Sequence, residues 1–559
     1  MSATQKSHDP LARLGLACDI AFDIALHIVL RHDPALIPSP HSSSAGTLTP
    51  FSGSLACAAV MASLRPLHTL SSVLATAFTA ALATSALLVS AADDSSSCSN
   101  DLSVAYDEPV AADGWSYRLV SNDLERPRGI VFDTEGALLV VDSGVGIVHL
   151  SLQDDGETCL QVKTKKTLLE NTDLNHGIAL SQDGRTLYAS SANSVYSWTY
   201  DAAEASLSAS SARTLVTNMS NSGHVTRTLL LSRKHPEMLL VSRGSQGNDD
   251  TDATDRSSGR SQLRAFNISS LPADGSDGDA EAPYDFLNGT LLGWGLRNSV
   301  GVAEHPATGG IWSVENSVDN LERHGEDIHT DNPGEELNFH GYLNGSSEEQ
   351  GGNYGYPLCY AIWSTDDFPG LGDLDTGDQF SADQLDDDDD VVTIQNDDEC
   401  NTDYVPPVLA FQAHTAPLDI KFNEDGTSAY VSFHGSWNRD DPVGYVISSI
   451  SFKDGHPVEP SNSMDAATPI LSNADLSKCP DECFRPVGLA WDSKDRLWFS
   501  SDSTGEIFVL SSSSDDSSGE DADSDEGESG SDDDSAGSQF FPPAVIVTFA
   551  AIVMGFFLA

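Results

Sequence analysis

The hydrophobic pattern of this chain is a recurring unit: a polar head, four or five mostly apolar residues, an Asp-Gly-type turn and a second apolar run. It is cleanest in LNHGIALSQDGRTLYAS, Leu174 to Ser190. Apolar runs joined by so tight a turn read as two antiparallel strands, a β-hairpin. Five further stretches share the outline: RPRGIVFDTEGALLVVD from Arg126, HVTRTLLLSRKHPEMLLVS from His224, RNSVGVAEHPATGGIWSVE from Arg297, APLDIKFNEDGTSAYVS from Ala416 and RPVGLAWDSKDRLWFSS from Arg485. The spacing between copies leaves room for two more strands and a loop, the length of a four-stranded propeller blade of roughly 40 or more residues. A single hairpin cannot bury its own apolar face, so the blades must pack on one another around a central channel. The pattern therefore predicts an all-β fold, a six-bladed β-propeller. In such a ring the first strand of each blade lines the channel. The heads and the loops after the second strand then converge on one rim.

Composition bounds the partners. Of 559 residues, 85 are acidic and 28 basic, a net charge of -57. Nucleic-acid binding needs clustered Lys and Arg and is not expected. Residues 1–60 carry no strong folding signal and read as a non-functional N-terminal extension ahead of a start at Met61. Residues 61–92 combine Arg65 and His68, the apolar run Leu74 to Val89 and the small residues Ser90 to Ala92, the build of a secretory signal peptide. The propeller is expected over residues 93–510. Residues 511–539 are almost wholly Ser, Asp, Glu and Gly, too polar to bury anything, and read as a disordered stalk. The apolar tail 540–559 resembles a glycosylphosphatidylinositol attachment signal, with the lipid joined between Gly530 and Ser538. The expected location is extracellular, at the cell surface through that anchor. A retained signal anchor and a C-terminal transmembrane helix are the alternative readings of the two apolar segments.

Six cysteines follow the expected cleavage point: Cys98, Cys159, Cys359, Cys400, Cys479 and Cys483. An even number in a secreted chain argues for three disulfides; the favoured pairs are Cys98 with Cys159, Cys359 with Cys400, and Cys479 with Cys483. Sequons at Asn218, Asn267, Asn288 and Asn344 suit a glycoprotein of the same compartment. The two largest interruptions of the strand pattern, Gly244 to Arg260 and Phe368 to Asp403 with its run Asp386 to Asp390, read as surface loops. The Asp run lacks the spaced ligands and Gly turn of an EF-hand.

Candidate chemistry gathers on the predicted rim. The heads bring Arg128, His176, Arg227, Arg297 with Asn298, and Arg485; the loops after the second strands bring Arg243, Glu315 to Asn320, and HGSWNR from His434 to Arg439. So many guanidinium groups at one mouth of so acidic a protein suit a small polyanion, which they can grip in two-point contacts. Any one of these Arg residues could equally bond the carbonyls of a neighbouring blade, and His176 alone could be a satisfied structural histidine; their joint position carries the argument. Trp294, Tyr354, Tyr356 and Trp437 are candidates to stack on a sugar ring, or to pack in the blades.

LNHGIAL, LLVSRG, GWGLRNSVGVAEHPATGGIWSVENSVDN, NPGEELNF, GGNYGYPLCY, FHGSWNR and RPVGLAWD, in this order, resemble the glucose/sorbosone dehydrogenase family, and within it the pyrroloquinoline-quinone-dependent pyranose dehydrogenases of fungi. The resemblance implies a quinone lying over the channel and a calcium ion bridging quinone and protein. It places His176 as catalytic base and Arg297 with Asn298 beside the cofactor. It puts calcium on the backbone carbonyls of Ser317 and Val318, after Asn316, where bacterial relatives have Gly-Pro. Arg243, Arg439 and Arg485 become candidates for the quinone carboxylates. The implied reaction removes a sugar hydroxyl proton while hydride moves to the quinone, with calcium and Arg297 polarising the quinone carbonyl. No CxxCH haem site is present, so the electron acceptor is expected to be another molecule, unidentified. The alternatives are a calcium-dependent lactonase, which would gather acidic and Asn side chains at the channel centre, and a non-catalytic surface propeller binding protein or glycan.

Overall fold

The structure, a computed structural model, describes residues 98–270, 282–347, 350–382 and 396–513. The expected extension and signal peptide, the acidic stalk beyond residue 513, the apolar tail and the Asp386 to Asp390 run lie outside the described residues.

Each of the six hairpins opens a sheet whose four main strands run antiparallel, with short extra strands added in blades 2, 3 and 5. Blade 1 runs through Pro127–Phe132, Leu138–Asp142, Gly146–Asp154 and Leu160–Glu170; blade 2 through Leu174–Leu180, Thr186–Ser191, Val195–Asp201 and Arg213–Thr217. Blade 3 follows with Leu229–Leu231, Met238–Arg243, Gln262–Asn267 and Thr290–Trp294, and blade 4 with Ser299–Glu304, Gly310–Glu315, Glu335–Tyr342 and Leu409–Phe411. Blade 5 comprises Pro417–Phe422, Ser428–Phe433, Val446–Lys453 and Thr468–Ser472. Blade 6 takes Pro486–Trp491, Leu497–Ser501 and Glu506–Ser512 from the end of the chain, and its outer strand, Trp115–Ser121, from the beginning. The six-bladed propeller is therefore closed by pairing its two ends.

Alternation along the second strands explains why the blades need each other. In Leu138–Asp142 every residue is buried, because the strand has a blade on each side. Leu138 and Val140 face blade 6 in a core with Trp498, Ile507 and Val509, whereas Leu139 and Val141 face blade 2 with Leu187, Ala189 and Trp198. Comparable cores fill the other seams, such as Leu239, Val241 and Phe266 against blade 2, and Trp312, Val314 and Leu337 against Ile420 and Val431 of blade 5.

Near the channel the strands crowd until glycine is required. A Cβ on Gly129 would stand 2.3 Å from the His176 carbonyl oxygen, one on Gly177 2.2 Å from that of Arg227, and one on Gly488 2.4 Å from that of Arg128. Serine hydroxyls of the second strands bridge gaps of this kind: Ser190 Oγ donates to Arg227 O, Ser432 Oγ to Val487 O and Ser500 Oγ to Arg128 O, each at 2.6 Å.

All three expected disulfides form, Cys98–Cys159, Cys359–Cys400 and Cys479–Cys483. The two long interruptions are more than surface loops. Ala253 of the first and Phe368, Phe380 and Ala382 of the second pack with Val318, Leu321, Tyr356, Tyr360 and Ile362 into a core of their own. Helix α1, Asp397–Asp403, carries the buried Cys400 into the bridge, and Asp397 receives a two-point contact from Arg323 at 2.8 and 2.7 Å. Their apolar residues are too sparse for a sequence period to reveal, so polar composition dominated the reading.

The seam between blades 6 and 1 is testable. Gly488→Ala would push a methyl into the backbone of blade 1, and overpacking of this kind costs about 1–3 kcal/mol. Its thermal midpoint should fall by several degrees, and an unchanged midpoint would show that the seam yields freely.

Candidate active site at the channel mouth

Antiparallel hairpins return the end of the second strand to the level of the first strand's beginning, so heads and exits share a face. Hydrogen bonds trace that face around the ring. Asn175 Nδ2 of blade 2 donates to Val225 O at 3.0 Å, and the Ser245 amide after blade 3's second strand donates to Arg297 O at 2.8 Å. Asn316 Nδ2 of blade 4 donates to Pro417 O at 2.7 Å, and Arg485 Nη2 of blade 6 reaches Gly435 O of blade 5 at 2.8 Å. His434 Nε2 meets Asp502 Oδ1 at 2.8 Å, and the same carboxylate forms a short ion pair with Arg128. His176 and Arg297 thus stand on one rim, joined through blades 2, 3 and 4.

The guanidinium groups of this mouth differ in what they are free to do. Arg297, 3% exposed, donates through Nη2 to Asp319 Oδ2 and to Asn248 Oδ1, both at 2.8 Å, and through Nε to Asn248 O at 3.2 Å. Its Nη1 donates to Asn316 O at 3.2 Å. Arg243 donates to Ser258 O and Ser220 O and lies over the Phe286 ring, and Arg227 donates to the carbonyls of Met219 and His224. Arg485 donates to His434 O and Gly435 O over the Tyr445 ring. Arg439 Nη1 donates to Thr330 O at 3.0 Å, with Asp331 at 3.7 Å, and its buried Nε has no partner among the described residues. Asn298 is the neighbour of Gly244, where a Cβ would meet its Oδ1 at 2.6 Å.

His176 is 4% exposed and its Nδ1 is buried without a hydrogen-bond partner among the described residues. Burial, reinforced by the charges of Arg128 and Lys421 and opposed by Asp502, holds its imidazole well below the usual histidine range, so it is neutral at neutral pH. It borders a channel cavity of ≈ 170 Å³ shared with Thr228, Asp419 and Lys421. Burial also lowers His434 against the opposing pull of its Asp502 partner. Burial pushes Asp502 up, but the His434 bond and the charges of His434 and Arg128 outweigh it, so the carboxyl stays ionised. His434 lies in the HGSWNR segment expected on the rim, but its partner Asp502 carries no sequence signal, because the two meet only when blades 5 and 6 pack. Asp319, in the ENSVDN segment expected on the rim, and Asn248, from the long interruption expected to be a surface loop, together fix Arg297.

Blade 4 places three carboxylic acids behind Arg297. Glu315 Oε1 accepts the Arg297 amide, and Asn338 Nδ2 bridges Glu315 Oε2 and Glu336 Oε2 at 3.3 and 2.9 Å. Burial pushes Glu315 and Glu336 upward, and Glu335 up to about 8. Beyond them runs the Ser317–Val318 turn, whose two carbonyl oxygens receive no hydrogen bond among the described residues. Among the described residues no cluster of three His, Cys, Asp or Glu side chains has metal-binding geometry, so a cation here would rely on backbone oxygens. Of the four aromatic candidates, Tyr354 is buried in the blades, Tyr356 in the core of the long interruptions, and Trp294 is half-buried, whereas Trp437 is 67% exposed beside Asn438, which donates to Asp319 O and to Asn320 Oδ1.

The chain matches a family model described as TrAA12-like over residues 109–513. It is 55% identical over 417 residues to a protein of Hypocrea jecorina (strain QM6a) named pyrroloquinoline quinone-dependent sugar dehydrogenase, covering 74% of this chain and 92% of that one. A solved structure described as the calcium structure of the Trichoderma reesei carbohydrate-active enzymes family AA12 superposes with a TM-score of 0.71 at 56% identity, covering 74% of this chain and 99% of that one. The holo form of the pyranose dehydrogenase PQQ domain from Coprinopsis cinerea gives 0.65 at 36% identity, covering 73% and 97%.

The carboxyls of blade 4 give a signed pH dependence. A carboxyl raised above its unfolded value of ~4.3 contributes stability that is complete below that value and lost as pH rises through the folded one. Buried histidines such as His176 and His434, held below their ordinary value, give wild type and variant alike the opposite slope, so the carboxyls are read by difference: in EDTA, the urea midpoint of Glu336→Gln relative to wild type should rise from pH 5 to pH 8.

Proposed function

The chain belongs to the TrAA12-like family, and on that premise we propose that it is an oxidoreductase acting on a pyranose CH–OH group outside the cell, with pyrroloquinoline quinone and calcium as cofactors. The observation that carries the reading is the meeting, at one channel mouth, of a neutral buried imidazole, a fixed guanidinium and two backbone carbonyls without donors among the described residues.

Those groups fit the cofactors. The carbonyls of Ser317 and Val318 are hard oxygen donors of the kind calcium prefers, on a turn held from both sides. Arg297 and Asn298 stand beside that turn, and Asn316 ties it to blade 5. Arg439 has a spare buried Nε–H, and Arg243 another, for an anionic ligand. Arg485 presents a guanidinium whose hydrogen bonds among the described residues go to carbonyls alone, so it keeps its charge for the same ligand. When bound, the quinone supplies the two-electron acceptor, and calcium the Lewis acidity, that no side chain here provides.

The chain's own residues do the rest. His176, neutral at working pH, takes the sugar hydroxyl proton on its ring nitrogen as hydride leaves the adjacent carbon. Arg297, held rigid by Asp319 and Asn248, offers a fixed positive charge where negative charge develops, which costs no reorganisation during reaction. Trp437 offers an exposed indole on which a sugar ring can stack. The electrons then pass to a separate acceptor molecule. Three disulfides support an oxidising, extracellular compartment; lipid anchoring at the cell surface is proposed from the sequence of the tail alone.

Reconstitution with pyrroloquinoline quinone and calcium, followed by dye reduction across a panel of aldoses, tests the reading. His176→Ala should bind the quinone yet turn over roughly 10²–10⁴ times more slowly, and a variant as fast as wild type would remove His176 as base. Because burial keeps His176 neutral, kcat/KM should be flat around pH 7 and fall only well below pH 6.5 as the ring protonates. Trp437→Ala should raise KM for sugar with little change in thermal midpoint, since the ring is exposed and unpacked.

A further inference from the structure

We propose that Glu335 is a positioning residue of the calcium site, holding the turn that presents the Ser317 and Val318 carbonyls and supplying the negative charge that a divalent cation there would answer. The inference rests on the calcium reading above and adds a residue to it.

Glu335 opens the third strand of blade 4 and is 4% exposed. Its two oxygens are divided between two elements: Oε2 accepts the Ser317 amide at 2.7 Å and Oε1 the Ala416 amide at 3.1 Å. Ser317 lies on the exit of blade 4's second strand, and Ala416, with φ 54°, is the strained residue that turns the chain into the inner strand of blade 5. One carboxylate therefore clamps the turn to the next blade. Other bonds fix the flanks of the turn: the Asn316 amide to Asn298 O at 3.1 Å, and the Asp319 amide to Asn248 Oδ1 at 2.8 Å. Between these anchors the carbonyls of Ser317 and Val318 are the groups left with no donor among the described residues.

Charge points the same way. No Lys, Arg or His among the described residues forms an ion pair with Glu335, and Arg297, the cation closest in the network, is already committed to Asp319 at 2.8 Å. Glu315 and Glu336 add two more buried carboxyl groups in the same blade. Two amide bonds recover only part of what burying a carboxylate costs, and a low-dielectric surrounding lets an uncompensated charge act over several ångströms. A divalent cation held by the Ser317 and Val318 carbonyls would complete the balance. Positive charge from a side chain would do so too, but the turn has none. Outer groups that orient metal ligands characteristically change metal affinity by about 10–100-fold when removed.

The test uses the full chain, stripped with EDTA and free of quinone, titrated with Ca²⁺ by calorimetry. Glu335→Gln keeps the size but cannot carry a negative charge and turns an NH2 toward one of the two amides, so it should bind calcium at least about tenfold more weakly than wild type. It should lose most of the rise in thermal midpoint that calcium gives the wild type. Should Glu335→Gln show no cooperative melt, Glu335→Asp serves instead: it keeps the charge but can reach one amide at most, and should bind several-fold more weakly. Glu135→Gln, an exposed carboxylate in the hairpin turn of blade 1, should bind as wild type does. Wild-type calcium affinity in the folded Glu335 variants would overturn the positioning role and leave the calcium reading standing. A wild-type protein that binds no calcium would overturn both.

Discussion

Contact between the inner strands of neighbouring blades is the constraint on which the rest of the structure depends. At the channel the backbones approach so closely that Gly129, Gly177 and Gly488 have no room for a Cβ, and serine hydroxyls from the second strands bond carbonyls of the following blade. Those hydroxyls also accept amides of their own inner strands, Gly177 to Ser190 Oγ at 3.1 Å and Gly488 to Ser500 Oγ at 3.0 Å. A propeller strand lining a channel has no partner strand on its inner edge, and its polar groups must be answered in some other way. Here they are answered by a neighbour, which locks the rotation of each blade against the next and sets the height of every head residue at the mouth.

Because the heads are fixed to this degree, the mouth behaves as a preorganised electrostatic surface. It is not the simple ring of cations that its arginines suggest. Arg128 is balanced by Asp502, Arg297 by Asp319 and Arg439 in part by Asp331, while Arg227, Arg243 and Arg485 spend donors on carbonyl oxygens. Lys421 of blade 5 and Arg128 of blade 1 bring positive charge toward His176, and the arc of blade 4 holds an excess of buried carboxyl groups. A ligand with anionic groups on one side, resting against a cation on the other, matches that division.

The insertions complete the mouth. The segment after blade 3's second strand delivers Asn248, whose side-chain oxygen bonds both Arg297 and the Asp319 amide, and whose backbone oxygen is held by the Tyr356 hydroxyl at 2.8 Å. The segment inside blade 4 brings Phe368 and Phe380 beneath Arg323 and is anchored by Cys359–Cys400. These long connections act as a packed collar that stiffens the guanidinium of Arg297.

The chain's own order of residues determined the six hairpins, the alternation that makes each second strand apolar on both faces, the three disulfides and the convergence of His176, Arg297 and Arg485 on one rim. All of these follow from short-range periodicity, or from the fact that a closed ring brings equivalent positions together. Tertiary structure alone decided which guanidinium groups are spent and which are spare, since that depends on carbonyls and carboxylates hundreds of residues away. It decided that His434 shares Asp502 with Arg128, and that Glu335 ties the exit of one blade to the head of the next. A repeat pattern records where strands lie; the partners of a buried charge are fixed only when the ring closes and solvent is expelled.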